Sequence, residues 1–488
     1  MIKHRLRWKA AREQTHAGLA AAITAATLAL ASTAFVGAPA ASASISTTAS
    51  RPAPVKIPAQ LTQGIHTVLD FLDPTTGLLE DTNWHQAVAM SAAETYQQTT
   101  GDNTFDAVFN NSHLKNAGVS EFENSLDDDT AWWGLAWLQG YQIAPHDRLY
   151  LQNAEDIANY IYNGGWDNSC GGGVWWQRAH TVLGFIHVPH KAKNAIANEL
   201  FLELTAWLAS TYEAIPGDTA LATKYLNEAE AEWEWFQEVG MISNGTSIPN
   251  GKAKPIAMSK NLVTDGITNL HPQYNKGACN DGGTTNDLFT YDQGVILAGL
   301  AELYKAALND PKDTKYRAQA PGYLTQAENI VKAVLNPNDK FEMRVGKKLI
   351  TTTFTTANGV LTEPGCNSSL PCGTGDEAEF KGIFVRDLRM LDDVIASAPK
   401  YNSGSACTDL YDHTNYTQCT TMYDRFFTTQ ATSIYAHDTD TMEVGKFGYT
   451  TWFGMFWQGP SVPTALDTQV SALEALVSAL NLPTPSPS

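Results

Sequence analysis

The chain has 488 residues, with 51 acidic against 32 basic side chains and a formal charge of −19. Such an acidic chain disfavours nucleic acid and anionic membranes as partners and is compatible with a neutral carbohydrate. Hydrophobic residues make up 43% of it, enough for a large core.

Residues 1–43 read as a Sec-type secretory signal. Lys3, Arg5, Arg7, Lys9 and Arg12 form a basic start, Ala17 to Leu30 a moderately apolar stretch, and Ala41-Ser42-Ala43 a cleavage site. The apolar stretch is too short and too weak for a membrane anchor. Secretion is therefore expected. Against the five bases stands Glu13, a net of +4, so the remainder carries −23. Residues 44–57, rich in Ser, Thr, Ala and Pro, read as a disordered leader, and 483–488 as a disordered tail. Between them, 58–482 shows no Pro/Gly/Ser linker, which favours one large repetitive domain.

Helical periodicity runs through that domain. Leu61–Leu72 and Trp84–Thr99 come first. Ala131–Leu138 is apolar on every side, whereas Leu149–Tyr162 has one apolar stripe (Leu151, Ala154, Ile157, Ala158, Ile161). Ala195–Ala209 is again mostly apolar and Leu221–Phe236 striped; Leu288–Leu303 and Tyr323–Leu335 repeat the pair. Phe380–Val394 and Met422–Tyr435 continue the pattern, and Ala465–Leu480 closes the chain as a striped helix. A helix apolar all round is buried all round. About a dozen helices alternating in this way predict an inner and an outer layer, an all-α barrel of helical hairpins. An open solenoid is the alternative. Irregular repeats and long polar inner-to-outer loops favour closure around a site.

Asp127, Asp128 and Asp129 stand directly before the first all-apolar run, which contains Trp132, Trp133 and Trp137. Acids beside aromatic walls and beside each other have their pKa values driven apart, as a glycosidase requires. Indole faces suit the apolar faces of sugar rings. The bland reading is a capping box, Ser125 with Asp128, at an ordinary helix start. Four further polar entries to apolar helices predict a cleft: Cys170-Gly-Gly-Gly-Val-Trp175-Trp176, Lys193-Asn194-Ala-Ile-Ala-Asn198, Tyr291-Asp-Gln293-Gly294 and Glu379-Phe-Lys381-Gly382. Each alone is as compatible with a core turn or an internally satisfied amide.

Six cysteines, Cys170, Cys279, Cys366, Cys372, Cys407 and Cys419, suggest disulfides in an exported chain. Closeness in sequence favours Cys366–Cys372 and Cys407–Cys419, leaving Cys170 with Cys279. The spacings are not zinc-like, and no metal or other cofactor is expected.

Taken in order, Asp128-Asp129-Thr-Ala-Trp132-Trp133, Cys170-Gly-Gly-Gly-Val-Trp175-Trp176, Lys193-Asn194 with Asn198, Tyr291-Asp-Gln293-Gly294 and Phe380-Lys381-Gly382-Ile-Phe384 with Arg386 resemble glycoside hydrolase family 76, the endo-α-1,6-mannanases. Trp84 and Tyr96 to Asp102 resemble its first hairpin, so the likeness covers roughly residues 60–460. It implies an (α/α)6 barrel and retaining hydrolysis of internal α-1,6-mannosidic bonds in mannan. It implies Asp128 as nucleophile and Asp129 as general acid/base, with Asp127 an extra acid. It places Trp132, Trp133, Trp175, Trp176, Asn194, Asn198, Tyr291, Gln293 and Lys381 among substrate-binding residues. Asp292 stands where that family commonly has Asn. A cell-wall transglycosylase, a non-catalytic carbohydrate binder on the same scaffold, and an α/α-barrel glycosidase of another linkage are the alternatives. A monomer is expected. The helix dipole is expected to keep Asp128 ionised, while Asp128 and the indoles raise Asp129. Retention asks for carboxyl groups about 5–5.5 Å apart.

Overall fold

A computed structural model describes residues 57–73, 78–79, 84–106, 108, 122–143, 148–178, 180–182, 186–188, 192–247, 256–257, 259–267, 287–309, 314–345, 348–366, 375–398, 422–444, 448–461, 465–480 and 482. The expected signal, most of the leader and the tail lie outside these, as do Cys279, Cys372, Cys407 and Cys419. Cys170 and Cys366 are disulfide-bonded.

Six helices form an inner ring: α2 (Trp84–Thr100), α3 (Asp127–Ile143), α5 (Ala195–Glu213), α7 (Thr290–Asn309), α9 (Phe380–Ser397) and α11 (Leu466–Ser478). Each packs on the next, and α11 packs on α2, which closes the barrel. Outside them lie α1 (Ala59–Thr67), α4 (Arg148–Gly165), α6 (Thr219–Glu238), α8 (Thr314–Leu335) and α10 (Met422–His437). Composition dictates the layers. α3 and α5 are buried on all faces, whereas α4 buries only Tyr150, Leu151 and the stripe Ala154, Ile157, Ala158, Ile161 with few others. The fold is an (α/α)6 barrel.

Close approach within the ring needs glycine. A Cβ on Gly382 of α9 would stand 2.4 Å from Ser471 Cα of α11, and one on Gly294 of α7 would stand 2.6 Å from Phe384 Cα of α9. No larger residue fits where two backbones come that near.

Three expectations change. α11 is an inner helix, buried on every face. Its apparent polar face is internal: Ser471 accepts from Gly382 N at 3.0 Å and Glu474 accepts from Arg386 Nη1 at 3.0 Å. Its outer partner is α1, from the other end of the sequence; Gln469 donates to Gly64 O at 2.9 Å across that seam. Second, α8 begins at Thr314 and runs through Pro321, nine residues before the expected start at Tyr323. Proline costs a helix one N–H, but a single missing donor does not end it when one face is packed. Third, the long described loops run from outer to inner helices. They carry five antiparallel hairpins: Leu72–Asp73 with Leu78–Leu79, His180–Val182 with Ile186–Val188, Thr246–Ser247 with Ile256–Ala257, Phe341–Val345 with Lys348–Thr352, and Thr439–Val444 with Gly448–Phe453. All therefore lie at the end of the barrel where the inner helices start.

Candidate active site

The acids sit at the first turn of α3, which begins at Asp127. Ser125 is thus not its cap. Instead Asn124 Oδ1 accepts from Leu126 N at 2.6 Å, and Thr130 Oγ1 donates to Leu126 O at 2.9 Å. The loop before α5 lies across this turn: Asp127 N donates to Trp176 O at 3.0 Å, and Arg178 N to Ser125 O at 3.2 Å.

The three neighbours have different fates. Asp127 is fully buried and ion-paired with Arg178, whose Nε lies 3.1 Å from Oδ1. The same guanidinium lies 3.7 Å above the Tyr160 ring. Burial outweighs Arg178 and pushes the Asp127 carboxyl up to about 7. Asp127 belongs to the wall. Asp128 Oδ2 accepts from the indole Nε1 of Trp176 at 2.9 Å, while its buried Oδ1 has no hydrogen-bond partner. Asp129 Oδ2 accepts from Asn124 Nδ2 at 3.2 Å. Burial, then the charge of Asp129, drives Asp128 well above the usual carboxylate range, against the backbone and the Trp176 donor. This reverses the expectation that the dipole would hold Asp128 ionised. The dipole is a partial charge in an exposed first turn; here desolvation is the larger effect.

Aromatic rings continue from the pair. Trp132 stacks on Trp84 at 5.8 Å, Trp84 lies 6.3 Å from Phe380, and Phe380 lies face to face with Tyr291 at 3.7 Å. This wall joins the starts of α3, α2, α9 and α7. Burial, then Asp292, Asp265 and Asp128, raises the Tyr291 phenol, which places it among the site's acids. Trp133, one position on and about 100° round the helix, is a core residue between Phe122 at 4.0 Å and Trp137 at 6.1 Å. It does not reach the site.

The polar residues expected to bind sugar mostly bind loops. Asn198 accepts from Val174 N at 2.6 Å and donates to Val174 O at 3.0 Å. Gln293 does the same to Val263, both at 2.8 Å. Gln86 and Gln469 accept from Leu79 N and Phe453 N, each at 3.0 Å. An amide in the first turn of each of these inner helices thus holds the incoming loop. Asn194 caps α5, accepting from Ala197 N. Lys381 donates to Met455 O and lies 4.5 Å over the Trp457 ring; burial lowers it to about 8 against Asp438 and Glu363. The glycine loop behaves similarly. Gly171, Gly172 and Gly173 all have positive φ, and a Cβ on Gly173 would meet Trp235 at 2.6 Å. This fit turns Trp175 inward, 8% exposed and 5.0 Å from Lys193 Nζ, and leaves Trp176 on the site.

Asp292 is fully buried, with both carboxylate oxygens unpartnered. Burial, then Asp265 and Glu363, raises it well above its usual range. Two further features were not anticipated. Asp265, pushed up to about 7 by burial and Asp287, sits beside Tyr291 and Asp292. His85 lies 2.5 Å from Glu379, 3.3 Å from Asp376 and 3.6 Å from Asp467. Burial opposes its charge, but those carboxylates outweigh burial and push the imidazole up to about 11. His85, Glu379 and Asp467 are close enough to be tested as metal ligands. The 2.5 Å contact is a charged hydrogen bond, tighter than the roughly 3 Å between two ligands of one ion with bonds of about 2.1 Å. An imidazolium tying α2, α9 and α11 fits these distances. His85, the pair Asp376 and Glu379, and Asp467 stand at three separate helix starts, so no one spacing in the sequence reveals the cluster.

The glycosyl hydrolase family 76 model matches residues 62–487. A mannan endo-1,6-alpha-mannosidase of Candida albicans is 26% identical over 268 residues, 54% of this chain and 46% of its own length. Another, of Saccharomyces cerevisiae, is 26% identical over 54% of this chain and 45% of its own. The chain spans about half the length of these curated relatives. The α-1,6-mannanase of Salegentibacter sp. HEL1_6 has a TM-score of 0.57 at 19% identity, covering 86% of this chain and 97% of that one. An inactive variant of it, with two consecutive aspartates replaced by alanine, is solved with α-1,6-mannotetrose, at TM-score 0.56 and 18% identity over the same shares.

Proposed function

The chain belongs to glycosyl hydrolase family 76, and we propose that it is a secreted, retaining endo-glycosidase that cleaves internal α-1,6-mannosidic bonds of mannan. The observation that carries this is the adjacent pair Asp128 and Asp129 at the start of α3, one held by Trp176 and the other by Asn124, beside an aromatic wall. The Salegentibacter mannanase, inactive when two consecutive aspartates are replaced, supports the reading. The signal-like segment 1–43 supports secretion, and we assign 58–482 as the catalytic domain.

In this mechanism the Asp128 carboxylate, held by Trp176, attacks the anomeric carbon. Asp129 gives its proton to the departing glycosidic oxygen. A β-linked mannosyl ester forms; Asp129, now ionised, takes a proton from water, and that water displaces the ester to give an α-configured product. The pair carries one proton between its two carboxyls. Binding of a sugar oxygen beside Asp129 is what places that proton on Asp129. Trp84 and Tyr291, half-buried, offer ring faces to the sugar, and Trp132, 4% exposed under Trp84 and Arg386, backs them.

The raised Asp128 carboxyl favours a second reading, with the two roles exchanged. Azide rescue separates them. With the nucleophile removed, azide attacks from the free face and gives a β-mannosyl azide; with the acid/base removed, it attacks the ester and gives the α-azide. The proposal expects the β-azide from Asp128→Gly and the α-azide from Asp129→Gly. Incubation with an α-1,6-mannooligosaccharide decides the activity itself. Shorter oligosaccharides mean hydrolysis, longer ones transglycosylation, and an unchanged substrate would overturn the enzyme reading in favour of a binder.

A further inference from the structure

Lys193 takes no part in the proposed reaction, yet the loop that carries Trp176 is coiled around its ammonium. The side chain is fully buried. Its Nζ has Gly172 O at 2.6 Å, Ser169 O at 2.8 Å, Asp167 Oδ1 at 2.9 Å and Asp167 O at 3.3 Å. An ammonium has three hydrogens to donate, so these oxygens satisfy it without water. Three of them are backbone carbonyls of one short stretch of the loop.

That stretch has little to fix it from within. Cys170, Gly171, Gly172 and Gly173 follow one another at positive φ, and glycines have the most backbone freedom to lose on ordering. The entry to α5 restrains the loop at three points. The Lys193 ammonium gathers Asp167 to Gly172, Asn198 accepts from Val174 N at 2.6 Å, and Ala192 O accepts from Trp176 N at 2.6 Å. Trp176 in turn donates its indole N–H to Asp128. Of the three restraints the ammonium is the costly one. Taking it out of water is unfavourable unless its partners replace the water, and an apolar side chain could fill the same space without that cost. Burial lowers the Lys193 pKa, against Asp167 and Glu232. The indoles of Trp175 and Trp235 stand 5.0 and 5.8 Å from Nζ. Packing alone leaves the charge without a reason; drawing carbonyls of a glycine loop to one point supplies it.

We propose that Lys193 is a positioning residue for the reaction, holding the loop from Asp167 to Trp176 so that the Trp176 indole meets the Asp128 carboxylate. Its effect on rate rests on the catalytic reading of Asp128; its effect on the indole does not. Lys193 and Trp176 then act as one unit.

The test is a double-mutant cycle in the full chain. Lys193→Met keeps an unbranched stem and removes the donors. On an α-1,6-mannooligosaccharide it is expected to lower kcat/KM by about tenfold or more, as loss of a hydrogen bond to a charged group does. The acidic limb of the pH–rate profile should move to higher pH, as in Trp176→Phe. Once Trp176 is replaced by Phe, adding Lys193→Met should cost less than about twofold, because no indole donor is left to place. A residue that only supports the fold would give losses that multiply. A second readout needs no activity. In protein with isotope-labelled tryptophan, the Trp176 Nε1–H resonance is the one missing from Trp176→Phe, and in Lys193→Met it should move upfield as its bond to Asp128 is lost. If the wild-type chain leaves the oligosaccharide uncut, the mannanase reading fails, while this resonance still decides the role of Lys193. If Lys193→Met does not fold, as judged by circular dichroism, Asp167→Ala takes its place. It removes the carboxylate paired with the ammonium, on a side chain 44% exposed, and should move both readouts in the same direction. An unchanged rate in an active enzyme, losses that multiply in the cycle, or a Trp176 resonance that stays in place overturns the proposal.

Discussion

The indole Nε1 of Trp176 donates a hydrogen bond to Asp128 Oδ2 at 2.9 Å, tying the loop before α5 to the first turn of α3. The bond favours the ionised carboxylate against the burial that opposes it. Trp176→Phe keeps the ring and removes the donor. A hydrogen bond to a charged group is worth about 1.5–3 kcal/mol. The expected loss in kcat/KM is therefore roughly 10- to 150-fold. Because the missing donor raises Asp128 further, the acidic limb of the pH–rate profile should also move to higher pH. A profile that keeps its shape would remove Trp176 from this role.

Asp127 and its neighbours should separate cleanly. Asp128→Asn and Asp129→Asn are each expected to lower kcat by at least about 10²–10⁴-fold with the melting temperature nearly unchanged. Asp127→Asn should instead lower stability, by about 1–3 kcal/mol, because Arg178 is left half-paired in the wall; its activity should exceed that of the other two. Rates and melting curves on the three variants check this. An inactive Asp127→Asn beside an active Asp129→Asn would shift the catalytic register by one.

The loop amides make a different prediction from sugar ligands. Asn198→Ala strands the N–H and C=O of Val174, and Gln293→Ala those of Val263. Each should cost about 1–3 kcal/mol of stability. A sugar-binding amide would raise KM and leave the melting temperature alone, so parallel KM and unfolding measurements distinguish the two.

Stability should fall as pH rises from 5 to 8. Burial raises the carboxyls of Asp265 and Asp392 to about 7 and of Glu363 to about 8. An unfolded chain releases these protons near pH 4, so between the two values the folded state holds more protons and loses stability with each step upward. Asp167, held at about 2 by Lys193 and Ser169 against burial, works the other way, but only below that window. Melting temperatures across the range should be highest on the acidic side; a maximum at pH 8 would mean these carboxyls are ionised in the fold.

The layers were legible in the sequence because burial writes itself into helical period: α3 and α4 differ in pattern as they differ in environment. α11 was harder. Ser471 and Glu474 look like a wet face, yet each bonds across to α9 inside the barrel. The same ambiguity runs through the site. Asn198 and Gln293 announce buried amides, but sequence cannot tell a sugar hydroxyl from a neighbouring loop as the partner. Trp132 and Trp133 were indistinguishable until the helix phase turned one to the wall and one to the core. The His85 cluster is assembled from three helix starts far apart in the chain, so no one motif could mark it.

The stereochemistry of cleavage tests the double displacement at Asp128 and Asp129 most directly. Proton NMR of an α-1,6-mannooligosaccharide, recorded from the first seconds after the enzyme is added, reports the anomer before mutarotation mixes it. Attack by Asp128 and entry of water on the vacated face predict an α-anomer first. A β-anomer first would mean a single inverting displacement, and the roles given to Asp128 and Asp129 would be contradicted.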